Sequence, residues 1–186
     1  MVLQAALPTM VRAHELSTQA LAGHGGDFTL QSFDGPVSLE QLRGKVVLIF
    51  FGYTSCPDVC PTTLANLSNV FSNLKAEELE RVIALFITLD PERDTPYLMK
   101  KYAGYFHANI IGVTGDKRVI DQITEDYGVV YERKEKASSS LGYIISHTVD
   151  ILVINQKGQL MDSRIQPLTS TDEILVYLRK LLNSGL

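Results

Sequence analysis

The segment that most restricts the fold is Val46–Phe51, a run of six consecutive apolar residues. A strand with one face in water alternates apolar and polar residues, so an unbroken run predicts a strand covered on both faces. A second, largely apolar run at Val82–Leu89 predicts another buried strand. Between the two, apolar residues recur at helical spacing from Leu64 to Leu74. Buried strands that alternate with helices predict an α/β fold with parallel pairing in the sheet.

Turn and capping patterns divide the rest of the chain. Asp34-Gly35 predicts an N-terminal hairpin, and Ser38 with Gln41 predicts the cap of a short helical turn. The polar, serine-rich segment 132–142 predicts a mobile loop. The remaining predicted elements are a helix at 96–106 capped by Asp94 or Thr95, a strand at 110–113, a helix from Asp116 to Tyr127, a strand pair at 149–154 and 159–165, and a last helix capped by Ser170 and Glu173.

The order of these elements predicts a thioredoxin-like three-layer α/β sandwich with a central mixed sheet and an N-terminal β-hairpin. A flavodoxin-like sheet is the alternative, but it does not account for the strand pair before the last helix. With 186 residues, the chain is long enough for one domain with a sizeable core. We predict a tail or linker at residues 1–26 and one domain at residues 27–186.

Composition excludes several classes of function. The chain is 45% hydrophobic and 20% charged, which is typical of a folded rather than a disordered protein. Its net charge of -4 and the lack of a long basic run argue against nucleic acid as a partner. We find no apolar run of about 18 residues, so none is predicted to span a membrane. The first 26 residues also lack the basic and apolar regions of a signal peptide.

The only two cysteines, Cys56 and Cys60, stand in a C-x3-C pattern where a strand is predicted to end and a helix to begin. A helix N-terminus lowers thiol pKa, so we expect both cysteines to be more ionised than free cysteine. Residues four apart share a helix face, so the sulfurs could form a disulfide or bind one soft metal ion. The carboxylate of Asp58 should raise the thiol pKa values, which disfavours a fast thiol nucleophile more than it disfavours a bound cation. Pro57 and Pro61 favour such a turn over a pair of inert core cysteines.

A metal on two sulfurs needs a third ligand, and the chain has four histidines. His14 and His24 lie in the predicted tail, and capping and packing account for His107 at the end of a helix. His147 lies just before the predicted strand at 149–154, at the edge that faces the cysteines in a thioredoxin-like fold. A structural histidine at a strand edge is the alternative for His147. We interpret Met10, Met99 and Met161 as packing or surface residues, and Asp90 and Asp94 as residues that cap or stabilise a loop.

The cysteine segment and several others resemble the Sco/SenC/PrrC family of thioredoxin-fold copper proteins, which serve cytochrome c oxidase assembly. The resemblance extends from about Gly26 to the C-terminus, and the cysteine segment is the most specific match because its neighbouring residues match as well as its spacing. The matching stretches are Gly44–Leu64, Thr88–Pro96, Phe106-His107, Ile111–Gly115 and Tyr143–Thr148.

The resemblance implies copper, as Cu(I) or Cu(II), with Cys56, Cys60 and His147 as its ligands. It implies a monomer whose partner is the copper-bearing subunit of the oxidase or another copper chaperone. It also implies a location on the periplasmic side of the bacterial inner membrane, tethered in the full-length form, or less commonly in the mitochondrial intermembrane space. Ser146 stands where the family commonly has aspartate, which could alter how the imidazole is oriented.

Three functions are compatible with these residues. The first is a copper metallochaperone, favoured by the C-x3-C spacing, Asp58 and His147. The second is a thiol-disulfide oxidoreductase that reduces cysteines of the oxidase copper subunit or its chaperones, with Cys56 and Cys60 as the redox-active pair. The third is a peroxiredoxin-like peroxidase, which needs an activating arginine that the flanking sequence does not supply. Structural zinc is disfavoured because it requires four protein ligands.

Overall fold

A five-stranded mixed sheet forms the centre of the computed structural model, which describes residues 24–135 and 142–184. The strands are β1 (Thr29–Ser32), β2 (Gly35–Ser38), β3 (Val46–Gly52), β4 (Val82–Thr88), β5 (Ile110–Val113), β6 (Tyr131–Glu135), β7 (Tyr143–His147), β8 (Ile151–Ile154) and β9 (Leu160–Ile165). The helices are α1 (Val59–Ser72), α2 (Ala76–Leu79), α3 (Pro96–Phe106), α4 (Lys117–Asp126) and α5 (Thr171–Ser184), with a 3-10 turn at Glu40–Leu42.

The sheet has the strand order β5-β4-β3-β8-β9. Strands β3, β4 and β5 are parallel, whereas β8 runs antiparallel to β3 and β9 antiparallel to β8. All seven residues of β3 are buried, as the unbroken apolar run predicts. The predicted mixed α/β sheet with an N-terminal hairpin is therefore confirmed, the hairpin being β1 and β2.

Helices and hairpins cover both faces of the sheet and complete three layers. Val46, Leu48 and Phe50 of β3 pack on one face against residues of α1, α3 and α5. The alternate residues of β3 pack on the other face against α4, the β1–β2 hairpin and β7. Because successive strand residues point to opposite faces, this one strand contributes to both halves of the core.

The β6–β7 hairpin corrects the prediction of a mobile loop at 132–142. Residues 132–135 belong to β6, which pairs antiparallel with β7, and residues 136–141 lie outside the described residues. Strand β6 is mostly exposed and charged, so it carries no apolar alternation that sequence reasoning could detect. It forms because β7 offers it a partner strand while burying Tyr143 and Ile145 in the core.

Side chains cap the helices largely as predicted. Thr95 rather than Asp94 caps α3, accepting a hydrogen bond from Leu98 N at 3.3 Å. Asp116 caps α4 by accepting from Arg118 N at 2.9 Å. The predicted capping pairs Ser38 with Gln41 and Ser170 with Glu173 are both present.

The chain enters the domain along α4. Gly25 N donates to Asp126 O at 2.9 Å, and the Tyr127 hydroxyl donates to Gly26 O at 2.6 Å. The predicted tail at 1–26 falls almost wholly on residues 1–23, which lie outside the described residues. Within 24–135 and 142–184, no helix has the length and apolar character needed to cross a membrane.

Candidate metal centre

The cysteines lie in the turn that joins β3 to α1. Cys56 is half-buried in the turn, and Cys60 is fully buried in the first turn of α1. Both are free thiols rather than a disulfide. Asp94 stabilises this turn, because its carboxylate accepts hydrogen bonds from Thr54 N at 3.0 Å and from Thr54 Oγ1 at 2.5 Å. Asp94 thus stabilises a loop, as the sequence predicts, but the loop is the one that bears the cysteines.

His147 is the last residue of β7, and its ring reaches the sulfurs. Its Nε2 lies 3.7 Å from Cys60 Sγ. Its Nδ1 lies 2.7 Å from the carbonyl oxygen of Thr148, and a carbonyl can only accept, so Nδ1 carries the proton. The ring lies edge-on to Phe50 and Tyr53, with centroid distances of 6.3 and 6.2 Å. The imidazole therefore presents the lone pair of Nε2 toward the sulfurs.

The two thiols have opposite pKa shifts. A hydrogen bond from the Cys60 thiol lowers the pKa of Cys56 to about 3, and the backbone N–H groups of Asp58 and Cys60 lower it further, against the opposing effect of burial. The same hydrogen bond and burial raise the pKa of Cys60 well above its ordinary value. At neutral pH the pair is therefore one thiolate, Cys56, and one thiol, Cys60.

Two sequence expectations about these thiols need correction. Only Cys56 is more ionised than a free cysteine, because Cys60 is buried and keeps its proton, through which it donates a hydrogen bond to the Cys56 sulfur. Asp58 stabilises the Cys56 thiolate through its backbone N–H, and the net shift of the Cys56 pKa is downward rather than upward. The side chain of Asp58 also makes no capping hydrogen bond to α1.

Tyrosines beside the site were not found by sequence reasoning. The Tyr53 hydroxyl accepts a hydrogen bond from Ile145 N at 3.3 Å, which joins the cysteine turn to β7. The Tyr102 hydroxyl is buried with no hydrogen-bond partner among the described residues, and burial followed by the nearby Cys60 and Cys56 raises its pKa. Isolated tyrosines carry no spacing pattern, so only the tertiary structure brings them to the sulfurs.

Of the predicted ligands, the fold brings Cys56, Cys60 and His147 together. No three histidine, cysteine, aspartate or glutamate side chains of the described residues are already arranged to hold a metal ion. The arrangement is instead a hydrogen-bonded thiolate, thiol and imidazole, from which an ion would have to displace the Cys60 proton. His107 lies elsewhere, where it ends α3, packs edge-on to Phe71 and accepts a hydrogen bond from Asn109 N.

The other histidines and methionines that the sequence analysis considered are not among the proposed ligands. His24 is exposed, and His14 and Met10 lie outside the described residues. Met99 is buried in the core against α1, and Met161 is partly buried against the same cluster.

Gly52, the last residue of β3, makes room for the Cys60 sulfur. A Cβ at this position would lie 2.7 Å from Cys60 Sγ and 2.8 Å from a Phe86 ring carbon. We expect Gly52→Ala to destabilise the protein by about 1–3 kcal/mol, the usual cost of overpacking a core. Chemical denaturation of the reduced protein measures this difference. Gly104→Ala in α3, where a Cβ meets nothing within 4 Å, is the control and should be neutral or stabilising; equal effects of the two substitutions would contradict the steric explanation.

Comparisons with known proteins agree with this architecture. A SCO2-like protein of Rickettsia prowazekii is 37% identical over 138 residues, which cover 74% of this chain and 67% of that protein. The solved structure of Bradyrhizobium japonicum ScoI with copper bound matches with a TM-score of 0.77 and 35% identity, covering 86% of this chain and 99% of that one. The structure of BsSco, a member of the Sco family of cytochrome c oxidase assembly proteins in which a disulfide switch was identified, matches with a TM-score of 0.66 and 27% identity, covering 86% and 93%. The model of the SCO1/SenC family matches residues 17–183, and the chain therefore belongs to that family.

Proposed function

We propose that this protein is a copper metallochaperone that delivers copper to the copper centre of cytochrome c oxidase through Cys56, Cys60 and His147. The observation that carries the proposal is the approach of His147 Nε2 to within 3.7 Å of Cys60 Sγ, beside the Cys56 thiolate. The copper-bound structure of Bradyrhizobium japonicum ScoI, at 35% identity, supports the choice of metal.

The donor atoms suit copper. Thiolate sulfur is a soft ligand that matches Cu(I), and imidazole nitrogen binds copper in either oxidation state. The Cys56 sulfur is already deprotonated, so binding needs to displace only the proton of Cys60. The hydrogen bond from His147 Nδ1 to Thr148 O leaves Nε2 as the donor atom. This backbone carbonyl orients the imidazole although Ser146 occupies the position where the family commonly has aspartate.

The same arrangement supports release of the ion. Cys56 is only half-buried, so an incoming ligand can approach the metal from solvent. His147 lies on a hairpin that is hydrogen-bonded as a separate two-stranded sheet, not as part of the central sheet. A ligand on such an element can leave before the sulfurs do, and a partner's donor atom can replace it.

We propose the copper-bearing subunit of the oxidase, or another copper chaperone, as the receiving partner. BsSco is a member of a family of cytochrome c oxidase assembly proteins, and the match to it is the basis for this proposal. We further propose that the protein acts as a monomer, tethered on the periplasmic side of the bacterial inner membrane. Relatives occur both in bacteria and, by name, in mitochondria, so both locations are represented in the family.

Copper titration of the reduced protein, followed by absorption spectroscopy, tests the proposal. We expect one copper ion per chain and, with Cu(II), a thiolate-to-metal charge-transfer band. His147→Ala should weaken Cu(II) binding by at least about tenfold, because removing even an outer contact of a metal ligand costs about 10- to 100-fold. Cu(I) binding should fall less, since two sulfurs remain. His107→Ala, which removes a histidine away from the sulfurs, is the control and should bind copper normally.

Two further measurements separate this function from its alternatives. Protein oxidised to the Cys56–Cys60 disulfide should take up no copper, because the sulfurs are then no longer thiolate ligands. Undiminished uptake by the oxidised protein would place the ion elsewhere. Rapid turnover of a disulfide substrate without copper binding would instead support the thiol-disulfide oxidoreductase.

A further inference from the structure

The hairpin that carries His147 is positioned by side chains rather than by the central sheet. Among the described residues, strands β6 and β7 pair only with each other, whereas the cysteine turn continues directly from β3 of the central sheet. The distance between the imidazole and the sulfurs therefore depends on what holds β7 against the end of β3 and β4. Tyr53 supplies one such contact through the hydrogen bond from Ile145 N to its hydroxyl.

A second contact joins β7 to the loop after β4. The Tyr143 hydroxyl donates to Asp90 Oδ1 at 2.8 Å, and Arg93 Nε donates to the other oxygen of the same carboxylate. The guanidinium carbons of Arg93 and Arg133 lie 3.8 and 3.5 Å from the centroid of the Tyr143 ring. Asp90 is only 4% exposed, so its charge is balanced by these contacts rather than by water. Tyr143 thus has both its ring and its hydroxyl fixed.

The same loop also holds the cysteine turn. Asp94, which is 0% exposed, accepts from Thr54 N and Thr54 Oγ1. It also accepts from Thr88 Oγ1 at 2.6 Å, and that hydroxyl in turn accepts from Asp90 N at 2.8 Å. The backbone closes the loop, with Asp94 N donating to Asp90 O at 2.9 Å. One five-residue segment, Asp90–Asp94, therefore contacts both the turn that bears the cysteines and the strand, β7, that bears His147.

We propose that the segment Asp90–Asp94 is a brace that sets the distance between His147 and the two cysteines, and that the Tyr143 hydroxyl is the contact through which it positions His147. The inference rests on the proposed copper site. Removing the Tyr143–Asp90 hydrogen bond takes away one of the contacts that position β7, while the contacts of Asp94 with the cysteine turn remain. Cu(II), which depends more on the nitrogen donor, should be affected more than Cu(I). A purely structural role for Tyr143 would lower stability without this selectivity.

Tyr143→Phe tests the brace because it removes only the hydroxyl and keeps the ring beside the two arginines. We expect the Cu(II) affinity of the reduced protein to fall about tenfold, equivalent to about 1.4 kcal/mol, with a smaller loss for Cu(I). In the His147→Ala background the same substitution should have no effect on Cu(II) affinity, because the group that it positions is gone. Tyr127→Phe is the matched control, since it removes a buried tyrosine hydroxyl that donates to Gly26 O near α4. It should leave copper affinity unchanged.

The outcomes separate this inference from the proposed function. A loss of Cu(II) affinity in His147→Ala but not in Tyr143→Phe overturns the brace and leaves the copper site intact. Equal losses from Tyr143→Phe in both His147 backgrounds also overturn it, because the hydroxyl then does not act through His147. Unchanged binding in His147→Ala overturns the ligand set and the brace together. Faster amide hydrogen exchange at Ile145 in copper-free Tyr143→Phe, but not in Tyr127→Phe, supports the brace independently of copper, and unchanged exchange overturns it.

Discussion

Cys56→Ser and Cys60→Ser are each expected to abolish high-affinity copper binding by the reduced protein. Each substitution replaces a soft sulfur by a hard hydroxyl oxygen and leaves only one sulfur and one imidazole. The loss in affinity should reach at least about a thousandfold, or about 4 kcal/mol. The charge-transfer band of the Cu(II) form should disappear in both variants, because one sulfur and one imidazole no longer hold the ion tightly.

Equilibrium competition with a chelator of known copper affinity measures this loss. Ser55→Ala is the control, because Ser55 lies next to Cys56 in the same turn and is not among the proposed ligands. Cys60→Ala should be measured beside Cys60→Ser, since serine buries a hydroxyl where the native residue is fully buried. Wild-type copper affinity in either cysteine variant would show that the two-sulfur site is wrong.

The alkylation rate of Cys56 in copper-free protein is expected to be almost independent of pH between pH 5 and 8. Its pKa is lowered to about 3, chiefly by the hydrogen bond from Cys60, so the thiolate persists throughout this range and is protonated only near pH 3. An ordinary cysteine has a pKa of about 8.5, and its thiolate fraction rises roughly a thousandfold between pH 5 and pH 8. A plot of alkylation rate against pH should therefore be nearly flat for Cys56, whereas it would rise steeply for an ordinary cysteine.

Mass spectrometry after timed iodoacetamide treatment gives the rate at each pH and identifies the modified residue. Cys60 should remain unmodified in the folded protein, because it is buried and protonated. Cys60→Ala removes the main hydrogen-bond donor, so the Cys56 rate in that variant should regain a clear rise with pH. A wild-type rate that increases about tenfold per pH unit would mean that Cys56 is an ordinary thiol.

The central sheet and most helices were predictable because their patterns are local. The unbroken apolar run of β3 can only be stable when covered on both faces, and the structure buries every residue of it. Capping residues such as Asp116 act within one turn of their own helix, so α4 could be placed from sequence. Strand β6 could not, because its charged residues are ordered by pairing with β7 rather than by any preference of their own.

In the candidate site, too, some features follow from local sequence patterns and others only from long-range contacts. Sequence by itself determined that Cys56 and Cys60 stand between a buried strand and a helix, since both elements have strong periodic patterns. It also indicated His147 as a third ligand by its place in the chain. It did not determine that one sulfur is a thiolate and the other a thiol. That difference arises from unequal burial and from a hydrogen bond between the two side chains.

Tertiary structure alone decided how His147 meets the sulfurs. The hairpin that carries it is docked by contacts between residues far apart in sequence, such as Tyr143 with Asp90 and Tyr53 with Ile145. Such contacts leave no periodicity in the chain, because each depends on a side chain's position in three dimensions rather than on its spacing from neighbours. Local pattern therefore determined which elements form and where the cysteines lie, and long-range packing decided the geometry in which these residues come together.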